Sequence, residues 1–495
     1  MKRVLTILLA ALTVQAASAQ RFYTGLKKDR AGYEKIPKKA TLLTRDYAIL
    51  PSSHSLRRYC PTPGDQQQYG TCTSWASTYQ ARTICEAIAN GWEGQEKIDR
   101  EAFAPLFIYA QIKNPADEEC KEGSSMPEAL AVLKSKGAPK YATFPELCAS
   151  RVSSALYDAA RSGVIDDYNT LIEFGTEKTP AADKISRTKK ALSEDRPVII
   201  AMNLPEAFFR AGEIWEGDPN DKEGNIGYHA MCVVGYDDNV NGGSFLFVNS
   251  WGTEWGKDGF TWVSYDDYAR YVDQAIEMYV KPKAPAPAPV GGGEGGIGGG
   301  IGGGGNVPPA PEPGPRPMKK NYLAGAMSLQ LSTGEEVPVK LVSDTLSFYR
   351  ATEEYISGTR YRIYVSNDAP AYVYVIGSDL TNSVSKVFPP ADNISAHLTY
   401  RSNHIAIPDE KWFIEMDNTK GTDYLCVLYS DVELPINDIV NRIKAAPGTF
   451  QQKLRSVLPG ELVPAADVSY SMDKVTFSAK TDATVVPLLI EVSHQ

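Results

Sequence analysis

The stretch NSWGTEWGKDGF, residues 249–260, decides how the rest of this sequence is interpreted. It lies between two β-type runs, 244–249 and 260–265, and its glycines predict a loop that joins two strands. Asn249 begins the loop and Trp251 follows it closely. An amide oxygen can accept the ring N–H of a histidine and fix its tautomer, and an indole can shield that hydrogen bond from water. The loop is therefore typical of a site that orients a catalytic histidine.

A histidine in a suitable setting occurs just upstream, in GYHAMCVVGY, residues 227–236. His229 stands at the head of an apolar run that predicts a buried strand over 230–236. Taken alone, a histidine at a strand end is commonly a structural residue whose hydrogen bonds are satisfied nearby. His229 can act as a catalytic base only if a nucleophile lies within reach.

A candidate nucleophile occurs in DQQQYGTCTSWA, residues 65–76. Cys72 follows Gly70 and begins a predicted helix over 72–89, which Gly91 ends. The partial positive charge of a helix N-terminus lowers a thiol pKa, so the position predicts a thiolate near neutral pH. Taken alone, a half-buried or disulfide-bonded cysteine fits the segment equally well. The three segments together favour a Cys-His pair oriented by an amide.

With these segments the chain resembles the papain-like cysteine peptidases, because residues 66–76, 228–236 and 249–260 are similar to the three signature blocks of that family. The resemblance covers roughly 51–281, and the Gly-Thr-Cys-Thr form is similar to bacterial relatives. It implies an α+β, two-lobed fold with a helical lobe and a β-barrel-like lobe. It also implies peptide-bond hydrolysis through a thioester, with no cofactor and no metal.

The resemblance assigns a role to each matched position. Cys72 is expected to be the nucleophile, His229 its base and later the acid for the leaving amine, and Asn249 the residue that orients His229. The side-chain amide of Gln66 and the backbone N–H of Cys72 are expected to stabilise the oxyanion.

A second group of residues is expected to bind the substrate. Trp251 would pack over the His-Asn contact, and Trp255 would help to form the wall on the leaving-group side. Gly123 and Ser124 match the glycine stretch whose backbone pairs with an extended peptide.

The sequence also departs from the family pattern. Tyr69 and Thr73 replace the cysteine and tryptophan that the familiar form has near its nucleophile, so one expected disulfide is missing and Cys60 has no evident partner. The extension over 20–50 is too short for the long helical inhibitory propeptide of many relatives.

Composition and charge exclude some partners and predict export. The net charge of −9 comes without a basic stripe, so nucleic acid is not an expected partner. Lys2 and Arg3, an apolar stretch and the small residues 17–19 predict a signal peptide over 1–19. No apolar run is long enough to span a bilayer. We expect an exported protein, periplasmic or extracellular, that acts on a peptide or protein substrate.

Export permits disulfides, and the chain has seven cysteines. An odd number leaves at least one thiol unpaired. Cys120 and Cys148 lie in loop-like sequence and are the candidate pair, whereas Cys85, Cys232 and Cys426 lie in apolar patterns typical of buried residues.

A Pro/Gly-rich linker over 282–317 divides the chain. It follows the peptidase-like region, 51–281, and precedes a strand-rich region, 318–495, and its composition predicts halves that fold separately. The C-terminal region resembles a bacterial domain of unknown function, on residues 372–375, 387–390 and 407–408, and its partner is unknown. His397 and His404 within it are predicted to be loop or edge residues rather than metal ligands.

Two other functions remain open. The peptidase-like half could be an inactive scaffold whose C-terminal domain has a binding or adhesion role, or the same site could catalyse acyl transfer. An inactive copy usually lacks one catalytic group, and here all of them are present: Gln66, Cys72, His229 and Asn249. The sequence therefore favours an active endopeptidase, whose side-chain preference it does not reveal.

Overall fold

The computed structural model describes residues 22–148, 151–218, 227–281, 321–342, 346–379, 383–400 and 403–495. The predicted signal peptide and the predicted linker over 282–317 lie outside the described residues. No helix in these ranges is long and apolar enough to cross a membrane.

The region before the linker combines helices with one mixed sheet, which confirms the predicted α+β class. Its helices are α1 (Arg30–Tyr33), α2 (Thr44–Ala48), α3 (Cys72–Ser74), α4 (Thr83–Asn90), α5 (Gln95–Arg100), α6 (Pro105–Ile112), α7 (Met126–Ser135), α8 (Ser154–Ala160), α9 (Ala181–Ser193) and α10 (Tyr265–Tyr271). Its strands are β1 (Ser53–Ser55), β2 (Asp167–Thr170), β3 (Val198–Asn203), β4 (Ile214–Trp215), β5 (Tyr228–Asp237), β6 (Ser244–Val248), β7 (Phe260–Ser264) and β8 (Val272–Tyr279).

The sheet has the strand order β2-β8-β3-β5-β6-β7-β4, with β1 added to β5. Lys38 adds an isolated parallel bridge to Thr170 on the outer side of β2, and within the described residues the strands do not close into a barrel. The central strand β5 places His229 near its beginning. The antiparallel neighbours β6 and β7 hold the loop 249–259 between them, next to that histidine.

The predicted helix over 72–89 exists as one helical run from Cys72 to Asn90. A π-helical stretch, Trp75–Arg82, joins α3 to α4. Gly91 ends the run with φ of 60°, a left-handed conformation that favours glycine. The run is almost completely buried, so its N-terminus delivers Cys72 into the interior of the molecule.

The C-terminal region is β-rich, as predicted, and two sheets form it. Its strands are β9 (Asn321–Leu331), β10 (Val339–Val342), β11 (Phe348–Tyr355), β12 (Arg360–Asn367), β13 (Ala371–Ser378), β14 (Val384–Phe388), β15 (His397–Leu398), β16 (Asn403–Ile407), β17 (Ile414–Glu415), β18 (Gly421–Ser430), β19 (Val468–Tyr470), β20 (Thr476–Thr481) and β21 (Val485–His494). One sheet follows the order β10-β11-β21-β18-β13-β14 and the other β16-β12-β9-β20-β19. Two helices, α11 (Ile436–Ala445) and α12 (Phe450–Val457), pack together, and α11 lies against β14.

The two regions share a polar interface that linker composition does not reveal. Lys39 and Glu277, both in the region before the linker, form an ion pair of 2.6 Å whose side chains are 6% and 1% exposed, and the Tyr400 hydroxyl of the C-terminal region donates to the Glu277 carboxylate. His397 Nδ1 lies 3.0 Å from Asp167 of β2, and His404 Nδ1 lies 3.0 Å from an aspartate of α2. Both histidines therefore bind side chains of the other region. Separate folding of the two halves stays a prediction.

Candidate active site

Cys72 lies at the start of α3 and is completely buried. Burial raises the pKa of its thiol to about 11, although backbone N–H groups of Ala230, Thr73 and Gly25 hydrogen-bond to the sulfur and act in the opposite direction. The helix position predicts a lowered pKa, and desolvation outweighs that effect here because the thiolate has no access to water. The thiol is therefore held in its neutral form.

His229 is also completely buried, and its Nε2 atom lies 2.8 Å from Asn249 Oδ1. Because Nε2 is bound to the amide oxygen, Nδ1 is the ring nitrogen left for the thiol. Nδ1 is a buried atom with no hydrogen-bond partner among the described residues. Burial lowers the pKa of His229 to about 4, against the raising effect of the Asn249 hydrogen bond. Trp251 stacks on the imidazole with ring centroids 4.5 Å apart.

Ala230 links the two catalytic candidates in space. Its N–H reaches the Cys72 sulfur, and it directly follows His229 in β5. The structure therefore brings together Cys72, His229 and Asn249, with Trp251 over the histidine.

Gln66 is held in a defined orientation beside them. Its Oε1 accepts a hydrogen bond of 2.7 Å from the Ser250 hydroxyl, which fixes the side-chain NH₂ on the opposite side. That NH₂ group donates to the carbonyl oxygens of Tyr69, at 2.7 Å, and Tyr23, at 3.1 Å. Ser250 is a positioning residue that the sequence did not single out, although it lies within the conspicuous loop 249–260.

Residues 22–28, here named the covering segment, lie along this site. The Gly25 carbonyl accepts from Ser124 N–H at 2.9 Å, and Lys27 N–H donates to the Ser124 carbonyl at 3.0 Å. Leu26 N–H donates to the Tyr228 carbonyl at 3.2 Å. The chain's own backbone therefore forms a parallel bridge with Ser124, one of the two residues expected to pair with a peptide substrate.

The start of the covering segment contacts the loop that carries Asn249. The Tyr23 carbonyl accepts from Trp251 Nε1 at 3.0 Å as well as from Gln66. The Phe22 ring stacks on Trp251, with centroids 4.8 Å apart. Trp255 packs edge-on against Trp251 at 5.4 Å and is buried, so it supports this wall from behind.

The covering segment passes over the thiol through a contact between three glycines. A Cβ atom on Gly25 would lie 2.2 Å from the Gly70 carbonyl oxygen, and one on Gly123 would lie 2.0 Å from the Gly25 carbonyl oxygen. Real Cβ atoms do not approach backbone atoms this closely, so the segment fits only because these positions lack side chains. The sequence did not reveal this segment, since nothing in residues 22–28 marks a contact with residues 70 and 123.

The structure pairs Cys120 with Cys148, at an S–S distance of 2.00 Å. Gly123 and Ser124 lie within the loop that this bridge closes. Cys60 is a free, buried thiol, as are Cys85, Cys232 and Cys426.

Comparison with known proteins identifies part of this chain. Residues 115–280 match the papain family cysteine protease. These residues form a papain family cysteine protease domain. The matched range contains His229 and Asn249, whereas Cys72 and Gln66 lie upstream of it and join the protease domain through the geometry described above.

Three similar proteins illustrate the extent of the match. An uncharacterized peptidase C1-like protein of Acanthamoeba polyphaga mimivirus is 27% identical over 207 residues, which are 40% of this chain and 62% of that protein. Cathepsin L of Sarcophaga peregrina is 25% identical over 237 residues, 45% of this chain and 61% of that protein. Xylellain, a cysteine protease from Xylella fastidiosa, is 20% identical, with a TM-score of 0.41 over 53% of this chain and 96% of that one.

The chain spans about three fifths of the length of the two sequence relatives, at 62% and 61%. The prediction of a papain-like domain is confirmed over residues 115–280. The bacterial origin and the resemblance of the C-terminal region stay predictions.

Proposed function

We propose that this protein is an exported cysteine endopeptidase that hydrolyses peptide bonds with Cys72, His229, Asn249 and Gln66. One observation carries the proposal: a peptide segment lies over a buried cysteine whose neighbouring histidine is bound to an asparagine amide. That combination supplies a nucleophile, an oriented base and a surface for extended backbone in one place.

The proposed reaction follows from the atoms present. His229 Nδ1 takes the proton of the Cys72 thiol, and the sulfur attacks the carbonyl carbon of the peptide. The oxyanion that forms accepts hydrogen bonds from the Gln66 amide and the Cys72 backbone N–H. The C–N bond then breaks, the amine leaves with the proton from His229, and a thioester remains. Water, deprotonated by His229, hydrolyses the thioester and regenerates the thiol.

Asn249 contributes through the imidazole. With Nε2–H donated to Asn249 Oδ1, only the tautomer whose Nδ1 carries a lone pair can be present in the neutral ring. Trp251 excludes water from this hydrogen bond, which strengthens it. The asparagine thus holds the base in its productive form.

The state described here is latent, because the covering segment excludes solvent and substrate from the thiol. In this state, burial favours the neutral thiol and the neutral imidazole, which is the unreactive pair. Export would remove residues 1–19 and leave Gln20 as the first residue, so the covering segment would stay on the exported chain. Activity then requires that the segment leaves the cleft.

A peptide-library assay tests the proposed function. The full chain carrying Gly25→Ala, which opens the cleft, should cleave within peptides, and the same chain with Cys72→Ala should not. Faster transfer to an added amine than to water would instead indicate an acyl transferase. If Cys72 is alkylated readily but no peptide is cleaved or transferred, the peptidase-like half is an inactive scaffold. N-terminal sequencing of the exported protein tests export, with Gln20 as the expected first residue.

A further inference from the structure

Lys28, the last residue of the covering segment, occupies a site built for a cation. Its ammonium lies 2.6 Å from Asp273 Oδ2 and 3.0 Å from the Tyr228 hydroxyl. The same nitrogen lies over two aromatic rings, 4.2 Å from the centroid of Tyr228 and 4.9 Å from that of Phe174. We name the group Asp273, Tyr228 and Phe174 the cation cage.

The cation cage belongs to the protease domain and not to the covering segment. Tyr228 begins β5 and directly precedes His229, and Asp273 lies near the start of β8. Phe174 follows β2 and packs edge-on against Tyr33 at 5.7 Å. The cage therefore keeps its three walls when residues 22–28 leave the cleft.

The electrostatics of the cage require a positive occupant. The Asp273 side chain is only 2% exposed, and burial raises its pKa while the Lys28 ammonium lowers it. The nearby Lys184 is bound to the carbonyl oxygens of Ala269 and Val272, at 2.7 and 2.9 Å. Without Lys28, the carboxylate would keep a donor 3.5 Å away, Gln274 Nε2, in a largely desolvated site beside the electron-rich faces of two rings. Such a site favours a lysine or arginine side chain.

The cage is open to the outside, because the Lys28 side chain remains 32% exposed while it is bound. It is also aligned with the cleft. Gly25 lies over the thiol, Leu26 donates to the Tyr228 carbonyl, and the side chain two residues further on enters the cage. An extended peptide in the same groove would pass the cage at the same distance, about 10 Å from the thiol for three residues.

We propose that the cation cage of Asp273, Tyr228 and Phe174 is a specificity subsite that binds a lysine or arginine side chain of the substrate, and that Lys28 occupies it in the latent state. The inference rests on the proposed peptidase function and names its substrate class, peptides with a basic residue at one fixed distance from the scissile bond.

A binding measurement tests the cage without catalysis. The protein is the full chain with Cys72→Ala, Gly25→Ala and Lys28→Met, so that the nucleophile is absent and the cage is vacant. The probes are the labelled peptide FYTGLKK and the same peptide with norleucine as its last residue. The lysine peptide should bind at least about tenfold more tightly, and Asp273→Asn should abolish that difference. If the protein that keeps Asp273 bound the two peptides equally well, the proposed role of the cation cage would be wrong.

A kinetic measurement tests the link to substrate. The full chain with Gly25→Ala and Lys28→Met is assayed with a series of peptides. Each peptide carries one lysine, or norleucine in its place, at a different distance from the cleaved bond. Lysine at one position should raise kcat/KM at least about tenfold over norleucine, and Asp273→Asn should remove the increase. The ratio is taken within each variant, so general losses of activity or folding cancel. Phe174→Leu keeps the carboxylate and should lower the ratio about two- to fivefold.

The outcomes separate this inference from the proposed function. Lysine-selective binding without any cleavage would contradict the peptidase proposal. The cation cage would then be a binding site for basic peptides. Cleavage with no lysine preference, or with the same preference in Asp273→Asn, would mean that the cage serves only to anchor Lys28, and the subsite would be rejected.

Discussion

Replacing Gly25 by alanine should release the covering segment. The new methyl group would lie 2.2 Å from the Gly70 carbonyl oxygen, 2.3 Å from its carbonyl carbon and 2.4 Å from its Cα atom. These are backbone atoms of Gly70, in the loop before Cys72. The Gly70 N–H in turn donates to the Cys120 carbonyl. The contact cannot be relieved by a side-chain rotation. We expect the covering segment to be the part that moves, because the backbone of Gly70 is held to Cys120.

The magnitude follows from what holds the segment closed. Three backbone hydrogen bonds, at Ser124 and Tyr228, and two donors to the Tyr23 carbonyl contribute together roughly 3–7 kcal/mol. Ordering residues 22–28 costs roughly 1–2 kcal/mol per residue, and these hydrogen bonds, the Lys28–Asp273 ion pair, the burial of Leu26 and the partial burial of Phe22 offset that cost. The closed and open states therefore differ by a small free energy. An overpacked methyl costs about 1–3 kcal/mol, which raises the open fraction about 5- to 150-fold.

Alkylation of Cys72 by iodoacetamide at pH 8, followed by peptide mass spectrometry, measures the open fraction. Gly25→Ala should be labelled about 5- to 150-fold faster than the parent chain, with little change in Tm. Gly212→Ala is the matched control, because its Cβ would meet no atom within 4 Å. Equal labelling of Gly25→Ala and the parent chain would refute the idea that the segment limits access to the thiol.

Three further predictions follow from the site and the interface. In the closed chain, the ultraviolet absorbance of the Cys72 thiolate, taken as the difference between the parent chain and Cys72→Ala, should appear only above about pH 10, because burial raises the pKa of this thiol to about 11. A thiolate already present at neutral pH would contradict the burial argument. In the open enzyme, Gln66→Ala should lower kcat about 10²–10³-fold with KM little changed, whereas Gln67→Ala should stay near the parent value; the reverse order of sensitivity would mean that the loop register is wrong. Lys39→Met should lower the free energy of unfolding by about 3–5 kcal/mol in urea titrations, because it leaves the Glu277 carboxylate buried without its cation. A change below about 1 kcal/mol would show that the pair contributes little to stability.

Much of the secondary structure could be predicted from local pattern. The helix expected over 72–89 runs from Cys72 to Asn90, since burial on all sides and Gly91 at its end are legible in the sequence. Strands β5 and β6 lie within two residues of their predicted bounds, because their apolar runs are continuous and bounded by turn residues.

The sequence by itself determined which residues could carry chemistry at this site. Cys72, His229 and Asn249 stand at a helix start, a strand start and a strand end, and these positions are local properties of the chain. The blocks that resemble the family are also made of consecutive residues, so residue type, spacing and that resemblance were sufficient to propose these three residues.

Only the tertiary structure decided the state of that site. The pKa values of Cys72 and His229 depend on how deeply the two side chains are buried. The covering segment, residues 22–28, contributes to that burial although it is distant from both residues in the sequence. The cation cage joins Asp273 to Tyr228 across strands that are not adjacent in sequence, and the Lys39–Glu277 pair spans 238 positions. Burial and charge pairing depend on which residues are close together in space. The periodicity of residue types along the sequence does not reveal such contacts.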